Sequence, residues 1–160
     1  LKIGLWTALL ALAADQLTKG YLQDFFEADP TVRVQNPYFN VVNVWNTGVS
    51  FSMFDRGGLL GTVVLIAFAL GVIGFLCRWL YHEKDRLTCV SLGLIIGGAI
   101  GNVIDRIRFG AVYDFLDFHY AAYHWPAFNL ADTFICIGAA LIIWTEVQRY
   151  ARNKLKGENK

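Results

Sequence analysis

Charge is what this chain has least of. Only 17% of its 160 residues are charged, against 56% that are hydrophobic, and long stretches carry no charge at all. Leu59 to Cys77 and Leu87 to Ile104 have none, and Ala127 to Thr145 has only Asp132. Each stretch is long enough to cross a hydrocarbon core about 30 Å thick. The apolar residues are thus gathered for a bilayer rather than scattered as in a soluble domain. Other absences narrow the chemistry. Cys77, Cys89 and Cys136 are odd in number and lack metal-type spacing, so they are expected to be small buried apolar residues, neither a disulfide framework nor metal ligands. His119 and His124 stand five apart among aromatics without a His-Glu-x-x-His helix, which argues against a zinc peptidase and leaves them an interfacial role. Ser50, Ser52 and Ser91 have no nucleophile-elbow motif around them. No cofactor or metal is expected, and no repeat or low-complexity segment is present.

What is there reads as an all-α membrane protein, a single domain over residues 1–160, with four transmembrane helices at about 1–22, 58–80, 87–106 and 127–148. The first segment is the shortest apolar run, Leu1 to Ala14. Lys2, the apolar run and Ala11-Leu12-Ala13 also fit a secretory signal peptide. Asp15 and Lys19 favour a continued helix instead, since they stand four apart in the acid-before-base order. With four spans the termini share a side, and that side holds Lys2, Arg78, Lys84, Arg86, Arg149, Arg152, Lys154, Lys156 and Lys160 against four acids. The positive-inside rule makes it cytoplasmic. The basic tail from Arg149 is expected as an anchor near anionic membrane lipid, with no nucleic-acid partner.

Two outer connections follow. From Phe25 to Phe54, alternation in Thr31-Val32-Arg33-Val34-Gln35 and β-branched and aromatic residues over Phe39 to Trp45, broken by Asn36-Pro37 and Thr47-Gly48, predict a small extracytoplasmic β-sheet over about 25–54. Its edge could hold an extended peptide by strand addition. The second connection, Phe109 to Pro126, is dense in Tyr, Phe, Trp and His and is expected as an extracytoplasmic interfacial segment among headgroups.

Asp15, Asn46, Asn102, Asp105, Arg106, Asp114, Asn129 and Asp132 all map to the outer side of these spans. Singly, such groups can serve as interhelical hydrogen bonds; together they ask for a function. Asp114 and Asp132 are the sharpest pair, each a carboxylate beside an apolar segment. Two carboxylates a few ångströms apart cannot both ionise cheaply, so they share a proton and titrate as a unit, one as base and the other as acid. That is the arrangement an aspartic peptidase needs. A proton-coupled transporter would instead show acids stepping through the membrane's depth and internal repeats. A purely structural scaffold leaves the one-sided accumulation unexplained.

Five strings occur in order along nearly the whole chain: Asp15-Gln16-Leu17-Thr18-Lys19; Asn46-Thr47-Gly48-Val49-Ser50-Phe51; Gly97-Gly98-Ala99-Ile100-Gly101-Asn102-Val103-Ile104-Asp105-Arg106; Val112-Tyr113-Asp114-Phe115; and Phe128-Asn129-Leu130-Ala131-Asp132. Together they resemble the motifs of the lipoprotein signal peptidases, or signal peptidase II. The presenilin-like enzymes share a Tyr-Asp string with Tyr113-Asp114, but their Gly-x-Gly-Asp string is missing here. The resemblance implies an intramembrane aspartyl endopeptidase of the bacterial inner membrane. Such an enzyme removes signal peptides from diacylglyceryl-modified prolipoproteins, cutting before the lipidated cysteine. It implies Asp114 and Asp132 as the catalytic pair, with Asp15, Asn46, Asn102, Asp105, Arg106 and Asn129 binding substrate or supporting the site. It also implies inhibition by globomycin-type cyclic peptides and an active site toward the periplasm; a monomer is expected. Val49-Ser50 and Tyr113 depart mildly from the family's usual residues.

Overall fold

The computed structural model describes residues 1–29, 34–48, 59–121 and 123–157. The expectations on Thr31-Val32-Arg33, on Val49-Ser50, on Ser52 and on the remaining stretch to Phe54 lie outside the described residues. Four helices run over Lys2–Ala28 (α1), Leu59–His82 (α2), Arg86–Phe109 (α3) and Leu130–Gly157 (α4). Between them lie four strands: Val34–Asn36 (β1), Phe39–Asn46 (β2), Val112–Tyr120 (β3) and Tyr123–His124 (β4). Among the described residues, three helices are long and apolar enough to cross a membrane: α2, α3 and the Leu130–Lys154 part of α4. α1 is not one of them, because Asp15, Gln16 and Lys19 interrupt its apolar run.

α3 is the central helix and packs against α1, α4 and, over a smaller area, α2. Its glycines make this possible. A Cβ on Gly97 would collide with the Ala8 backbone oxygen and the Ala11 Cβ of α1, and one on Gly101 would collide with the Asp15 carboxylate. Small residues let helix backbones approach where lipid supplies no hydrophobic drive for association. Around this seam Ala8, Leu76, Leu80, Cys89, Leu92 and Ile96 form the buried apolar cluster. Asp85 caps the start of α3, accepting from Thr88 N at 2.8 Å, and Gly110 ends it in the left-handed region at φ 73°, where a residue without a Cβ is unstrained.

The sheet is antiparallel, in the order β1-β2-β3-β4. Two expectations are corrected by it. Phe109 to Pro126 is not simply an interfacial segment: its Val112-to-Tyr120 run, rich in aromatic and branched residues, pairs along β2 from Asn46↔Val112 to Phe39↔Phe118. β2 alone would have left a row of unpaired backbone groups. The sheet also begins later than expected, since Phe25 to Ala28 complete α1. A third correction concerns the cysteines. Cys89 is buried, but Cys77 and Cys136 are exposed on α2 and α4.

Contacts at the two ends of the helices fix their placement. Phe128 bonds Leu116 in both directions, at 2.8 and 3.0 Å, which lays the entry to α4 alongside β3. At the opposite end, Leu1 N lies 3.9 Å from Cys89 Sγ, and Arg149 reaches Glu83 Oε1 at 3.3 Å. The start of α1, the α2–α3 turn and the C-terminal part of α4 therefore share the end away from the sheet.

Candidate active site

Asp132 is positioned by a helix cap. Asn129 precedes α4; its Oδ1 accepts from Asp132 N at 3.0 Å, and Asp132 Oδ2 accepts from Asn129 N at 3.3 Å. This is a capping box, in which N-cap and third residue satisfy each other's otherwise orphaned N–H groups. The local sequence Asn129-Leu130-Ala131-Asp132 thus both starts the helix and fixes the carboxylate.

Asp114 comes from β3. A β-bulge in β2 between Val41 and Val44 adds one residue to that strand and re-aims the side chains beyond it. Val44 then pairs with Asp114, and Asn46, two residues on, reaches across diagonally. Its Nδ2 donates to Asp114 Oδ2 at 3.0 Å. The other oxygen, Oδ1, accepts from Asn129 Nδ2 at 2.7 Å. Asp114 is 1% exposed. Burial pushes its carboxyl up to about 6; the Asn46 bond opposes this, the negative charge of Asp132 adds to it, and Asn129 and Lys19 oppose it.

A pair of asparagines joins the two acids. Asn102 on α3 donates to Asp132 Oδ1 at 2.8 Å and accepts from Asn129 Nδ2 at 3.2 Å. Beneath them lies a buried ionic cluster. Lys19, 2% exposed, meets Asp15 at 2.9 Å and Asp105 at 2.7 Å, and donates to Asn102 Oδ1 at 3.2 Å. Gln16 Nε2 bonds both Asp15 and Asp105. These two carboxylates also hold backbone: Asp15 accepts from Ala131 N at 2.9 Å and Asp105 from Tyr113 N at 3.3 Å. The cluster thereby ties α1 and α3 to the segments that carry Asp132 and Asp114. A buried cation with two carboxylates and full hydrogen bonding avoids the large cost of an unpaired buried charge. Arg106 lies in the electrostatic field of Asp132, Asp114 and Asp105. Its Nε is buried without a partner among the described residues.

All eight residues singled out from the sequence, Asp15, Asn46, Asn102, Asp105, Arg106, Asp114, Asn129 and Asp132, therefore meet in one connected group. Sequence reasoning missed Lys19 and Gln16 as members. The available signal was Lys19 itself, a cation far from either end of an apolar helix. Tyr113 is fully buried against Trp45 and Phe115; its hydroxyl has no partner among the described residues, and burial raises it to about 12.

The pattern of the family described as Signal peptidase (SPase) II matches residues 7–148. The chain belongs to the signal peptidase II family. Relatives named lipoprotein signal peptidase include one from Polynucleobacter necessarius subsp. necessarius, 41% identical over 146 residues, covering 89% of this chain and 87% of the relative. Another from Paraburkholderia phymatum is 42% identical over 146 residues, with 91% and 87% covered. Two solved structures, each described as a bacterial membrane enzyme determined by the in meso method, share the fold. One superposes with a TM-score of 0.77 at 23% identity, covering 95% of this chain and 92% of the other; the second gives 0.71 at 25%, covering 91% and 92%. Membership of signal peptidase II makes the chain a signal peptidase, and its three membrane-capable helices suit a multi-pass membrane protein.

Proposed function

We propose that this chain is an intramembrane aspartyl endopeptidase that removes signal peptides from diacylglyceryl-modified bacterial prolipoproteins, cutting before the lipidated cysteine, with Asp114 and Asp132 as its catalytic pair. The observation that carries the reading is that one asparagine, Asn129, fixes both acids, donating to Asp114 and capping α4 together with Asp132. The family's relatives, named lipoprotein signal peptidases, support the substrate class. Clustering of the ionisable groups at one end of the helices fits hydrolysis at one membrane face better than a proton path through it.

The two acids differ in a way that divides their roles. Asp114 is buried and takes up a proton readily, near pH 6; Asp132 lies in the first turn of α4, at the positive end of the helix dipole. Asp132 is the base: it takes a proton from water as the oxygen attacks the scissile carbonyl. Protonated Asp114 donates to the carbonyl oxygen and stabilises the tetrahedral intermediate. Collapse of the intermediate breaks the C–N bond, the proton taken up by Asp132 passing to the leaving amine while Asp114 keeps its own as the carbonyl re-forms. Covering the site with substrate removes water and favours the protonated form of Asp114 further.

α1 is the fourth span in this proposal. Its exposed Leu5, Trp6, Leu9, Leu10 and Leu17 form an outer apolar face, while Asp15 and Lys19 turn inward and neutralise one another. Both termini are cytoplasmic and the sheet periplasmic, as the basic side chains around the α2–α3 turn and the end of α4 favour. Globomycin-type cyclic peptides would block the enzyme by occupying the space between Asp114 and Asp132. The test is cleavage by purified protein of a lipidated prolipoprotein and its unlipidated counterpart in the same membrane, with Asp114→Asn and Asp132→Asn alongside. Preferential cleavage of the lipidated form, abolished in both variants, is expected. Equal rates on the two substrates would overturn lipid recognition, and turnover by either variant would overturn the catalytic pair.

A further inference from the structure

We propose that Lys19 is a positioning residue that sets the orientation of the Asn102 and Asn129 amides and thereby aims one N–H group at each carboxylate of the pair; this rests on reading Asp114 and Asp132 as the peptidase centre. An ammonium group offers three donors and no acceptor. Lys19 Nζ spends them on Asp15 Oδ2, Asp105 Oδ2 and Asn102 Oδ1, at 2.9, 2.7 and 3.2 Å. Whatever faces it must accept. Asn102 therefore presents Oδ1 to Lys19, and its Nδ2 is left to donate to Asp132 Oδ1 at 2.8 Å. The same Oδ1 accepts from Asn129 Nδ2 at 3.2 Å, so Asn129 too shows nitrogen on this side, where it donates to Asp114 Oδ1 at 2.7 Å. Its own Oδ1 is then directed to Asp132 N at 3.0 Å.

An amide can ordinarily flip end for end, since its oxygen and nitrogen are nearly the same size. Here a flipped Asn102 would set its NH₂ against the ammonium and against Asn129 Nδ2, and its oxygen against the Asp132 carboxylate. Lys19 is 2% exposed and Asn129 fully buried, so solvent does not offset those clashes. One cation on α1 thus specifies the donor pattern seen by both acids, without touching either.

Lys19→Met alone would leave Asp15 and Asp105 without their cation, so it is combined with Asp15→Asn and Asp105→Asn. Asparagine retains an oxygen for Ala131 N and for Tyr113 N. The groups that then govern the pH profile are Arg106 on α3, Asp114 on β3 and Asp132 on α4. Loss of the amide lock predicts a kcat lower by about ten-fold or more, a modest fraction of what acid–base catalysis supplies. KM should stay nearly constant, as for an interaction realised in the chemical step. The acidic limb of kcat should move to higher pH, because the carboxylates lose fixed donors. A role limited to charge balance predicts the opposite sign: the triple variant removes one positive and two negative charges, leaving the limb unmoved or lowered and kcat intact. That result would overturn the proposal.

Thermal unfolding of the triple variant checks that it folds. Should it not, the unmodified enzyme still decides: the ¹⁵N resonances of the Lys19 ammonium and the Asn102 and Asn129 side-chain amides should shift with one common midpoint as the acid pair titrates. Resonances of Lys19 and Asn102 that ignore that titration would also overturn it. Cleavage by unmodified protein, and its loss in Asp114→Asn and Asp132→Asn, is measured in parallel. An unmodified protein that fails to cleave would sink the peptidase reading, while the resonance titration would still judge the Lys19 link.

Discussion

Asn129 has two jobs that substitution can separate. Its oxygen caps α4 and its nitrogen holds Asp114. Asn129→Ser keeps a good cap but removes the donor, whereas Asn129→Ala removes both. A hydrogen bond to a charged group contributes about 1.5–3 kcal/mol, and an N-cap about 1 kcal/mol. The serine variant should therefore lose the first quantity and the alanine variant their sum. For a chain of this length the cap alone corresponds to about 2–4 °C between the two melting midpoints. Asp114 sets a limit on the first loss, because a buried carboxyl that loses a donor can take up a proton instead of staying charged. At about 1.36 kcal/mol per pKa unit, the lost bond should raise the Asp114 midpoint from about 6 by about one unit or more. Both variants should thus show the alkaline limb of prolipoprotein cleavage, where the acid Asp114 loses its proton, shifted upward by similar amounts, while differing in melting temperature. Equal melting temperatures for Ser and Ala would refute the capping role. An unmoved alkaline limb in both would refute the claim that the Asn129 amide favours the ionised form of Asp114.

Asp114 also makes a prediction about stability against pH. Its midpoint is raised from 3.8 to about 6 in the fold, so between those values the native state binds more protons than the unfolded one and stability falls as pH rises. Relative to Asp114→Asn, the unmodified protein should lose melting temperature progressively from about pH 4 to pH 6; a difference that stays constant over that window would contradict the burial of an ionisable Asp114. At the helix seam, Gly97→Ala places a Cβ against the Ala8 backbone oxygen and should cost about 1–3 kcal/mol through separation of α1 from α3. Gly20→Ala, where a Cβ meets nothing within 4 Å, should be neutral or stabilising by up to about 1 kcal/mol. Equal melting temperatures for the two variants would show that the seam is not closely packed.

The helices were legible because lipid imposes a simple rule: a spanning segment must be long, apolar and internally hydrogen bonded. Leu59 to Cys77, Leu87 to Ile104 and Ala127 to Thr145 satisfy it by composition alone; the first two fall within α2 and α3, and the third lies in α4 from Leu130 onward. α1 was harder. Its polar residues lower its apolarity, and only the four-residue spacing of Asp15 and Lys19 pointed to a helix that carries its own counter-ion, the pair found at 2.9 Å. The sheet was half legible. β2 has a strand-like run, but its partner β3 lies 66 or more residues onward by register, from Asn46↔Val112, in a segment whose aromatic residues equally suit a membrane interface. Local sequence carries no information on which distant run will satisfy an edge, so the pairing was out of reach.

The candidate site shows the same division between local and distant information. Asn129 and Asp132 were legible as neighbours on a helix, and the capping box is the local chemistry that such spacing permits. Asp114 was legible as an acid in an apolar setting. What the sequence could not supply is the order of linkage: that Asn46 holds one oxygen of Asp114 across a bulge, that Asn129 holds the other, and that Lys19 sits behind Asn102. Those links join β2, β3, the cap of α4, α1 and α3 over separations of 15 to 83 residues. They depend on helix approach distances that glycines such as Gly97 and Gly101 set. A substitution in the glycine seam, far from Asp114 in the chain, should therefore affect the acids by moving Asp15 and Lys19 relative to Asn102. The donor pattern at the two carboxylates is in that sense a consequence of how closely α1 and α3 can pack.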